Sequence, residues 1–262
     1  MTDQDNAIIL DETYQEEKHG KYFEALAKYV SDGLDACGYK YCTGDIMATN
    51  PLWRMTRSEW EECFADWIDN PNPKALLNAS IFFDLDGVYG RLKWAEQLTS
   101  FIVRRARKNN RFLACLARNA LNRTPPLGFF KDFVMEKDGR HRNSINLKRR
   151  GTAPLADLIR VHALAIGSQS QNSFDRLEDI IEAGILPPFK GKDLQHAMEF
   201  ISLVRIRHQA LDIESDQEPD NNIEPENMSD FERRNLKDAF LVLSSAQNFL
   251  KFRYTANSMQ NS

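Results

Sequence analysis

The sequence lacks the features that would mark a membrane, secreted or strongly basic protein. No uninterrupted apolar run approaches the ~20 residues that a membrane-spanning helix needs, and no basic-then-apolar signal segment opens the chain. The four cysteines show no Cys-x-x-Cys spacing, which argues against a disulfide framework or a structural zinc site. A formal net charge of -4 provides no basic field for nucleic acid. We therefore expect a cytoplasmic protein with reduced thiols, and neither a membrane nor a nucleic acid as its partner.

The short motifs of several common enzyme classes are missing too. The chain has no P-loop, no dinucleotide-binding glycine fingerprint and no nucleophile motif. Its composition is that of an ordinary globular protein, 42% hydrophobic and 27% charged over 262 residues, which suffices for one large or two modest domains. Any function therefore has to be inferred from less common patterns of polar residues.

Two aspartates one residue apart, Asp3 and Asp5, precede an apolar run that begins at Ile8. Successive side chains of a strand point to opposite faces, so a strand here would project both carboxylates from the same face. Two neighbouring carboxylates repel each other, and a hard cation such as magnesium is the usual reason to build such a pair. A frayed acidic segment without a role is the alternative, because a lone Asp-x-Asp is a weak signal.

The segment "ASIFFDLDGVYG" predicts a strand that runs into a turn. On that strand Asp84 and Asp86 would share a face with Phe82. Burying a charge without a partner is costly, so two acids on an apolar strand require an explanation. Exposure to solvent is the simpler alternative, and it suits Asp86, next to Gly87 in the turn, better than Asp84.

Apolar residues at three- and four-residue steps predict helices over much of the chain. The first, in "TYQEEKHGKYFEALAKYVSDGLDACG", is expected to stop at Gly38. The second, "SEWEECFADWI", is expected to begin with a capping box from Ser58 to Glu61, and the last with one from Ser229 to Glu232. The second half of the chain therefore predicts an all-helical bundle with one basic hairpin.

That basic hairpin is predicted in "FFKDFVMEKDGRHRNSINLKRRG", with Asp138-Gly139 as its turn and Arg149 and Arg150 at its end. A clamp for phosphates or for an acidic partner is one interpretation. A solvated charged face is the other.

A histidine and two arginines stand out in the segment "LVRIRHQA". His208 falls on the apolar face of its predicted helix, which favours a half-buried histidine with its hydrogen bonds satisfied over a catalytic base. Arg205 and Arg207 are expected to reach an acid such as Asp238.

Several segments, in the right order, resemble the signal-transduction nucleotidyltransferases. Members of that family often carry CBS and cyclic-nucleotide-binding modules, and they are related to the protein-PII uridylyltransferases. The resemblance covers nearly the whole chain, from Thr2 to about Tyr254, and is more specific than any one motif. The segments are "TDQDNAIIL", "YFEALAKYVSDGLDACGYKYC", "NASIFFDLDGVYG", "PPLGFFKDFV", "INLKRRGTAPLADLIRVHALA", "RIRHQA" and "ERRNLKDAF".

The resemblance implies an α/β nucleotidyltransferase-like domain over residues 1–98 and an all-α, substrate-binding helical bundle over residues 99–262, in a chain that is mostly helical. By position, Asp3 and Asp5 match the family's catalytic and metal-binding pair, and Asp84 is the candidate for the third carboxylate. The implied cofactor is Mg²⁺, with a nucleoside triphosphate as substrate and a protein as a candidate acceptor. Arg149 and Arg150 are the candidates for binding the nucleotide.

The sequence departs from the family pattern at two points. The Gly-Ser turn that grips the triphosphate before the Asp-x-Asp strand is missing, so we expect either a truncated sequence or a degenerate copy, with weak or absent catalysis unless that turn is supplied upstream. Asp86-Gly87 stands where the family tends to have Arg-Pro, which exchanges a cation for an anion.

Three functions stay open at this point. The first is a magnesium-dependent nucleotidyltransferase of the protein-PII uridylyltransferase kind, which transfers a nucleoside monophosphate to an acceptor in signal transduction. The second is a non-catalytic nucleotide-sensing or protein-interaction module on the same fold. The third, an RNA-adding enzyme of the tRNA type, is disfavoured by the mildly acidic net charge.

Overall fold

The computed structural model describes residues 3–128, 132–136 and 142–255, and these residues are mostly helical. The chain divides into two compact units, Met1–Arg105 and Ala106–Ser262. The helices are α1 (Glu16–Ala36), α2 (Arg57–Asp69), α3 (Pro73–Phe82), α4 (Leu92–Lys108), α5 (Asn110–Ala120), α6 (Ala153–Ile166), α7 (Ser173–Glu182), α8 (Lys190–Glu214) and α9 (Asp230–Thr255). The strands are β1 (Asp3–Gln4), β2 (Ile8–Leu10), β3 (Lys40–Tyr41), β4 (Arg54–Thr56), β5 (Ile145–Asn146) and β6 (Asn222–Ile223). Over the described ranges, no helix is both long enough and apolar enough to cross a bilayer.

The first unit contains two short pairs of parallel strands. β1 pairs with β3, and β2 pairs with β4. Between β1 and β2, Asn6 donates its backbone N–H to the carbonyl of Ile46 at 3.1 Å and accepts the N–H of Ala48 on its side chain at 2.8 Å. These bonds satisfy the backbone where the chain passes from one strand pair to the other.

An aromatic cluster forms much of the core of the first unit. Trp60, Phe64 and Trp67 recur at three- and four-residue steps on α2 and are buried. The Trp60 ring lies 5.2 Å from that of Phe82 on α3, and its indole N–H donates to the carbonyl of Ile8 at 3.1 Å. This arrangement packs α2 and α3 against β2 and leaves the indole nitrogen with a partner.

The cap of α2 lies two residues before the predicted one. Thr56 accepts the backbone N–H of Glu59 at 3.3 Å, and the Glu59 carboxylate accepts the N–H of Thr56 at 2.7 Å. The predicted capping box from Ser58 to Glu61 is therefore wrong. Thr56 is the last extended residue of β4, whereas Ser58 already lies inside the helix and donates its hydroxyl to Glu12 at 2.6 Å.

Residues 73–82 form α3, so the strand predicted in "ASIFFDLDGVYG" is wrong. Asn72 caps this helix by accepting a backbone N–H at 3.0 Å, and Pro73 occupies the first turn, where a missing N–H costs nothing. Asp84 and Asp86 lie in the segment that follows the helix, and both are exposed. A short apolar run fits a strand and a buried helix equally well by periodicity.

The second unit is a bundle of α5 to α9. α9 packs against α5, α6 and α8, and α6 also packs against α5 and α7. Phe112, Leu158 and Phe240 are among its fully buried side chains. α9 begins with the predicted capping box, in which Ser229 and Glu232 each accept the other's backbone N–H at 3.2 Å. The bundle is not wholly helical, because β5 and β6 form an antiparallel pair beside it.

Only part of the predicted basic hairpin can be compared with the structure. Its turn at residues 138–139 lies outside the described residues. On either side of the turn, the N–H of Glu136 donates to the carbonyl of Ser144 at 2.9 Å. The end of the stretch is not extended: Lys148–Thr152 form a π-helical turn that leads into α6. Both candidate arginines therefore lie on a helical turn and not on a hairpin strand.

Gly151 allows this π-helical turn to approach two helices closely. A Cβ atom at Gly151 would lie 2.8 Å from a methyl carbon of Ile201 on α8 and 3.4 Å from the ring of Phe240 on α9. The residue is buried, so a side chain here could not turn to solvent. Packing therefore disfavours any side chain at this position.

Candidate functional site

Asp3 and Asp5 lie on the solvent side of the first strand segment. Both residues are exposed, while Gln4 between them is 5% exposed. β1 ends at Gln4, so Asp5 follows the strand directly. The alternation of exposure is the pattern expected when side chains two residues apart share a face.

Gln4 anchors this acidic segment to the body of the unit. Its side-chain amide donates to the carbonyls of Ser31 and Tyr39, at 3.0 and 3.1 Å, and its side-chain oxygen accepts from Asn6 at 3.0 Å. The buried amide is therefore fully occupied, which fixes the backbone between the two aspartates. Sequence reasoning missed this residue, because its role depends on contacts with α1 and the β3 segment.

The Asp5 carboxylate lies beside the Cys42 thiol. Burial raises the pKa of Cys42, and the hydrogen bond to Asp5 raises that pKa further, while the backbone N–H of Ile46 acts in the opposite direction. A thiol with a raised pKa stays protonated at neutral pH and can donate to the carboxylate. Cys42 is thus a polar neighbour of Asp5 and not an activated nucleophile.

Asp84 does not join Asp3 and Asp5 in a ligand cluster. In the part of the chain that the structure describes, one group of three His, Cys, Asp or Glu side chains is close enough to share a metal ion, and that group lies in the second unit. Asp3, Asp5 and Asp84 are not such a group among the described residues. As the candidate third carboxylate, implied by the family resemblance, Asp84 is expected on a strand, and it instead follows a helix.

Arg149 and Arg150 both contact protein groups on the second unit. The guanidinium of Arg149 pairs with the carboxylate of Glu136. Arg150 donates to the backbone carbonyl of Thr124 at 3.3 Å. The side chain of Arg149 is 56% exposed and that of Glu136 is 29% exposed, so water screens the pair and exchanging Glu136 for another anion would cost little.

A second constellation of polar groups joins α8 to the loop that follows it. The Nε2 atom of His208 lies 3.6 Å from a carboxylate oxygen of Asp212, one turn later on the helix, and 3.5 Å from one of Asp220 in the loop. The backbone N–H of Asp220 donates to Asp212 at 3.2 Å, and that of Asn222 donates to Asp220 at 2.7 Å. The side chain of His208 is 24% exposed, which confirms its half-buried position.

These three side chains contribute to the wall of a pocket of about 540 Å³. The pocket is lined by polar side chains from α8, the loop and the start of α9, among them Arg207, Asn222 and Asn227. The i,i+4 spacing of His208 and Asp212 could have been read from the sequence, since it places both on one helix face. The approach of Asp220 could not, because it depends on how the loop folds.

The arginines of α8 do not take the predicted partner. Arg207 pairs with Glu232 at 2.6 Å, and Arg205 donates to the hydroxyl of Thr152 at 3.1 Å. The expected contact with Asp238 is therefore wrong. Asp238 is exposed on α9, whereas Glu232 lies at the start of that helix, close to the loop and the pocket.

Two family models match the chain. The one described as "Putative nucleotidyltransferase DUF294" matches residues 1–74, and the one described as "Putative nucleotidyltransferase substrate binding domain" matches residues 110–254, which is more than half of the chain. No curated protein and no solved structure shows a significant match. The two matched segments follow each other in the order that the sequence motifs predict. The chain therefore belongs to the family described as putative nucleotidyltransferases, and it carries that family's substrate-binding domain.

Proposed function

We propose that this chain acts as a nucleotidyltransferase of the protein-PII uridylyltransferase kind in signal transduction. It would transfer a nucleoside monophosphate from a nucleoside triphosphate to an acceptor, and a protein is the acceptor we favour. The observation that carries the proposal is the exposed pair Asp3 and Asp5 in the segment that matches the nucleotidyltransferase model. The parallel strand pairs, with α1 and α2, would form the α/β part of such a domain.

The two carboxylates fit a magnesium ion in chemistry and in number. Magnesium prefers oxygen ligands and is usually bound by one or two carboxylates, with water and substrate phosphates as its other ligands. Asp3 and Asp5 are both exposed on either side of the buried Gln4, so they would hold the ion from one face. When bound, magnesium would neutralise charge on the triphosphate and activate the acceptor hydroxyl.

The role we assign to Gln4 is to position this pair. Two of its three hydrogen bonds hold the backbone between the aspartates against α1 and the segment before β3, and the third comes from the side chain of Asn6. A rigid backbone keeps the two carboxylates from separating under their mutual repulsion. Asp84, exposed in the segment after α3, is proposed as the third acid, and Asp84→Asn tests its contribution.

Arg149 and Arg150 are proposed to bind a phosphate of the nucleotide or an acidic group of the acceptor. Their planar guanidinium groups suit bidentate contact with either anion. Arg149, whose own side chain is exposed, would exchange its partner Glu136 for the ligand.

A non-catalytic nucleotide-sensing or protein-interaction module is the second candidate. It is favoured by the position of Asp84 after α3, which leaves the first unit without a group of three ligands among the described residues. Such a module would bind a nucleotide through the same pair of aspartates without transferring any part of it.

A label-transfer experiment separates the two candidates. The full chain is incubated with Mg²⁺, each of the four nucleoside triphosphates labelled at the α-phosphate, and a protein extract as the source of acceptors. A nucleotidyltransferase gives label on protein, which falls by on the order of 10²-fold or more in Asp5→Asn, as for other groups that stabilise transition-state charge. Asp86→Asn, which removes an exposed acid from the same unit, should leave transfer unchanged. Transfer that survives Asp5→Asn would overturn the assignment, and nucleotide binding without transfer would favour the non-catalytic module.

A further inference from the structure

We propose that His208, Asp212 and Asp220 form a binding site for a divalent transition-metal ion of the Zn²⁺ type in the second unit. All three ligand atoms lie within 4.8 Å of one another. The site is built from α8 and its following loop, within the segment that matches the substrate-binding domain. It is independent of the magnesium pair proposed above, because it shares no residue with it.

The distances suit metal ligation better than direct hydrogen bonding. The Nε2 atom of His208 is 3.6 and 3.5 Å from the two carboxylate oxygens, which is longer than an N–H···O hydrogen bond. A tetrahedral zinc ion with bonds of about 2.0–2.1 Å separates neighbouring ligand atoms by about 3.3 Å. The two observed nitrogen–oxygen distances therefore need to contract by only a few tenths of an ångström, and the two carboxylate oxygens already lie within 4.8 Å of each other.

The two carboxylates are already held in place by the backbone. Asp212 accepts the N–H of Asp220, and Asp220 accepts the N–H of Asn222. Asn222 belongs to β6, and its side chain accepts from Asn146 of the paired strand at 3.1 Å. The loop is thus tied both to α8 and to β5, so little chain entropy remains to be lost when an ion binds.

The ligand types select the class of ion. One imidazole nitrogen and two carboxylate oxygens form a set that zinc and neighbouring divalent metals accept, whereas magnesium and calcium prefer oxygen alone. Three protein ligands leave a fourth position, which is typical of metal sites that also bind a small ligand. That position would face the pocket, where a water molecule or an oxygen atom of a bound compound would complete the coordination.

The first test is a calorimetric titration of the full chain with Zn²⁺. We expect one ion per chain through this site, and a loss of affinity of roughly tenfold or more in both His208→Ala and Asp220→Asn, since even residues behind a metal ligand are worth 10–100-fold. Asp220→Asn keeps an oxygen that accepts the N–H of Asn222, so the loop retains its hydrogen bond. His196→Ala on α8 and Asp216→Asn in the loop are matched controls, because both residues are exposed and outside the pocket wall. Their affinity should equal that of the unmodified chain.

A Co²⁺ titration decides whether the four free cysteines bind the ion instead. Cobalt bound to nitrogen and oxygen gives only weak visible bands, whereas thiolate ligands add intense near-ultraviolet absorption. We expect the first spectrum, and a rise of the melting temperature on Zn²⁺ addition that both site variants lose and both controls keep. Thiolate absorption, no binding by the unmodified chain, or equal affinity in site variants and controls would each overturn the proposal.

Discussion

The Nδ1 atom of His162 lies 3.0 Å from the hydroxyl oxygen of Tyr254, and this contact joins α6 to the end of α9. The histidine is fully buried, and its ring also lies against that of Phe249. Burial disfavours the charged imidazolium and, together with the positive charge of Arg253, lowers the pKa of His162 to about 3. The folded second unit therefore holds His162 in its neutral form at neutral pH.

The stability of the second unit should fall as the pH drops below 6.5. The unfolded chain takes up a proton at His162 near pH 6.5 while the folded chain does not until about pH 3, so protonation favours unfolding over that interval. We expect a loss of about 2 kcal/mol between pH 7 and pH 5 from this group. Urea unfolding at both pH values measures this loss of stability. The difference in the free energy of unfolding between pH 7 and pH 5 should be smaller in His162→Phe than in the unmodified chain. Equal pH dependence in the two proteins would contradict a buried neutral histidine.

Gly151→Ala should destabilise the second unit by about 1–3 kcal/mol, the usual cost of overpacking a filled core. The new methyl group would lie 2.8 Å from a methyl carbon of Ile201, which is closer than a normal contact, and 3.4 Å from the ring of Phe240. Gly33→Ala is the matched control, because Gly33 lies in α1 with open space around it. That change should stabilise the first unit by about 0.5–1 kcal/mol through helix propensity. Denaturant unfolding followed by circular dichroism reports both, and a neutral Gly151→Ala would show that the π-helical turn can move away.

Thr56→Ala should destabilise the first unit by about 0.5–2 kcal/mol, because the capping box at the start of α2 is lost. Ser58→Ala should change the free energy of unfolding by no more than about 0.5 kcal/mol, since Ser58 lies inside the helix and the hydrogen bond that its hydroxyl donates to Glu12 is exposed to water. Denaturant unfolding of both variants compares the two sites. A larger loss at Ser58 would mean that the helix begins where the sequence spacing suggested.

The long helices could be predicted from sequence, while the short elements of the first unit could not. The pattern of α1 spans many turns, and Gly38 after it adopts a φ of 98°, the left-handed conformation expected of a glycine stop. The strands β1 to β4 are only two or three residues long, too short for alternation to be read. For α3, Asn72 and Pro73 carried the start signals of a helix, but the run of apolar residues behind them read equally well as a strand.

Only part of the candidate site could be predicted from the sequence. Two-residue spacing was enough to expect Asp3 and Asp5 on one side of the chain. Asp84 was assigned to a strand that does not form, so its position relative to that pair could not be anticipated. The contact between His208 and Asp220 depends on a loop that is held in place by the pairing of β6 with β5. No local sequence pattern predicts such a contact.

Calorimetric binding of a nucleoside triphosphate tests the central assignment most directly. Each of the four nucleotides is titrated into the full chain with Mg²⁺ and again with a chelator, and then into Asp3→Asn, Asp5→Asn, Asp84→Asn and the control Asp86→Asn. We predict nucleotide binding that requires Mg²⁺, is lost in Asp3→Asn and Asp5→Asn, and persists in Asp86→Asn. Loss of binding in Asp84→Asn as well would support Asp84 as the third carboxylate of the site. Binding that is equally strong with the chelator and in Asp5→Asn, or no binding of any of the four nucleotides, would contradict a nucleotide site at the Asp3 and Asp5 pair.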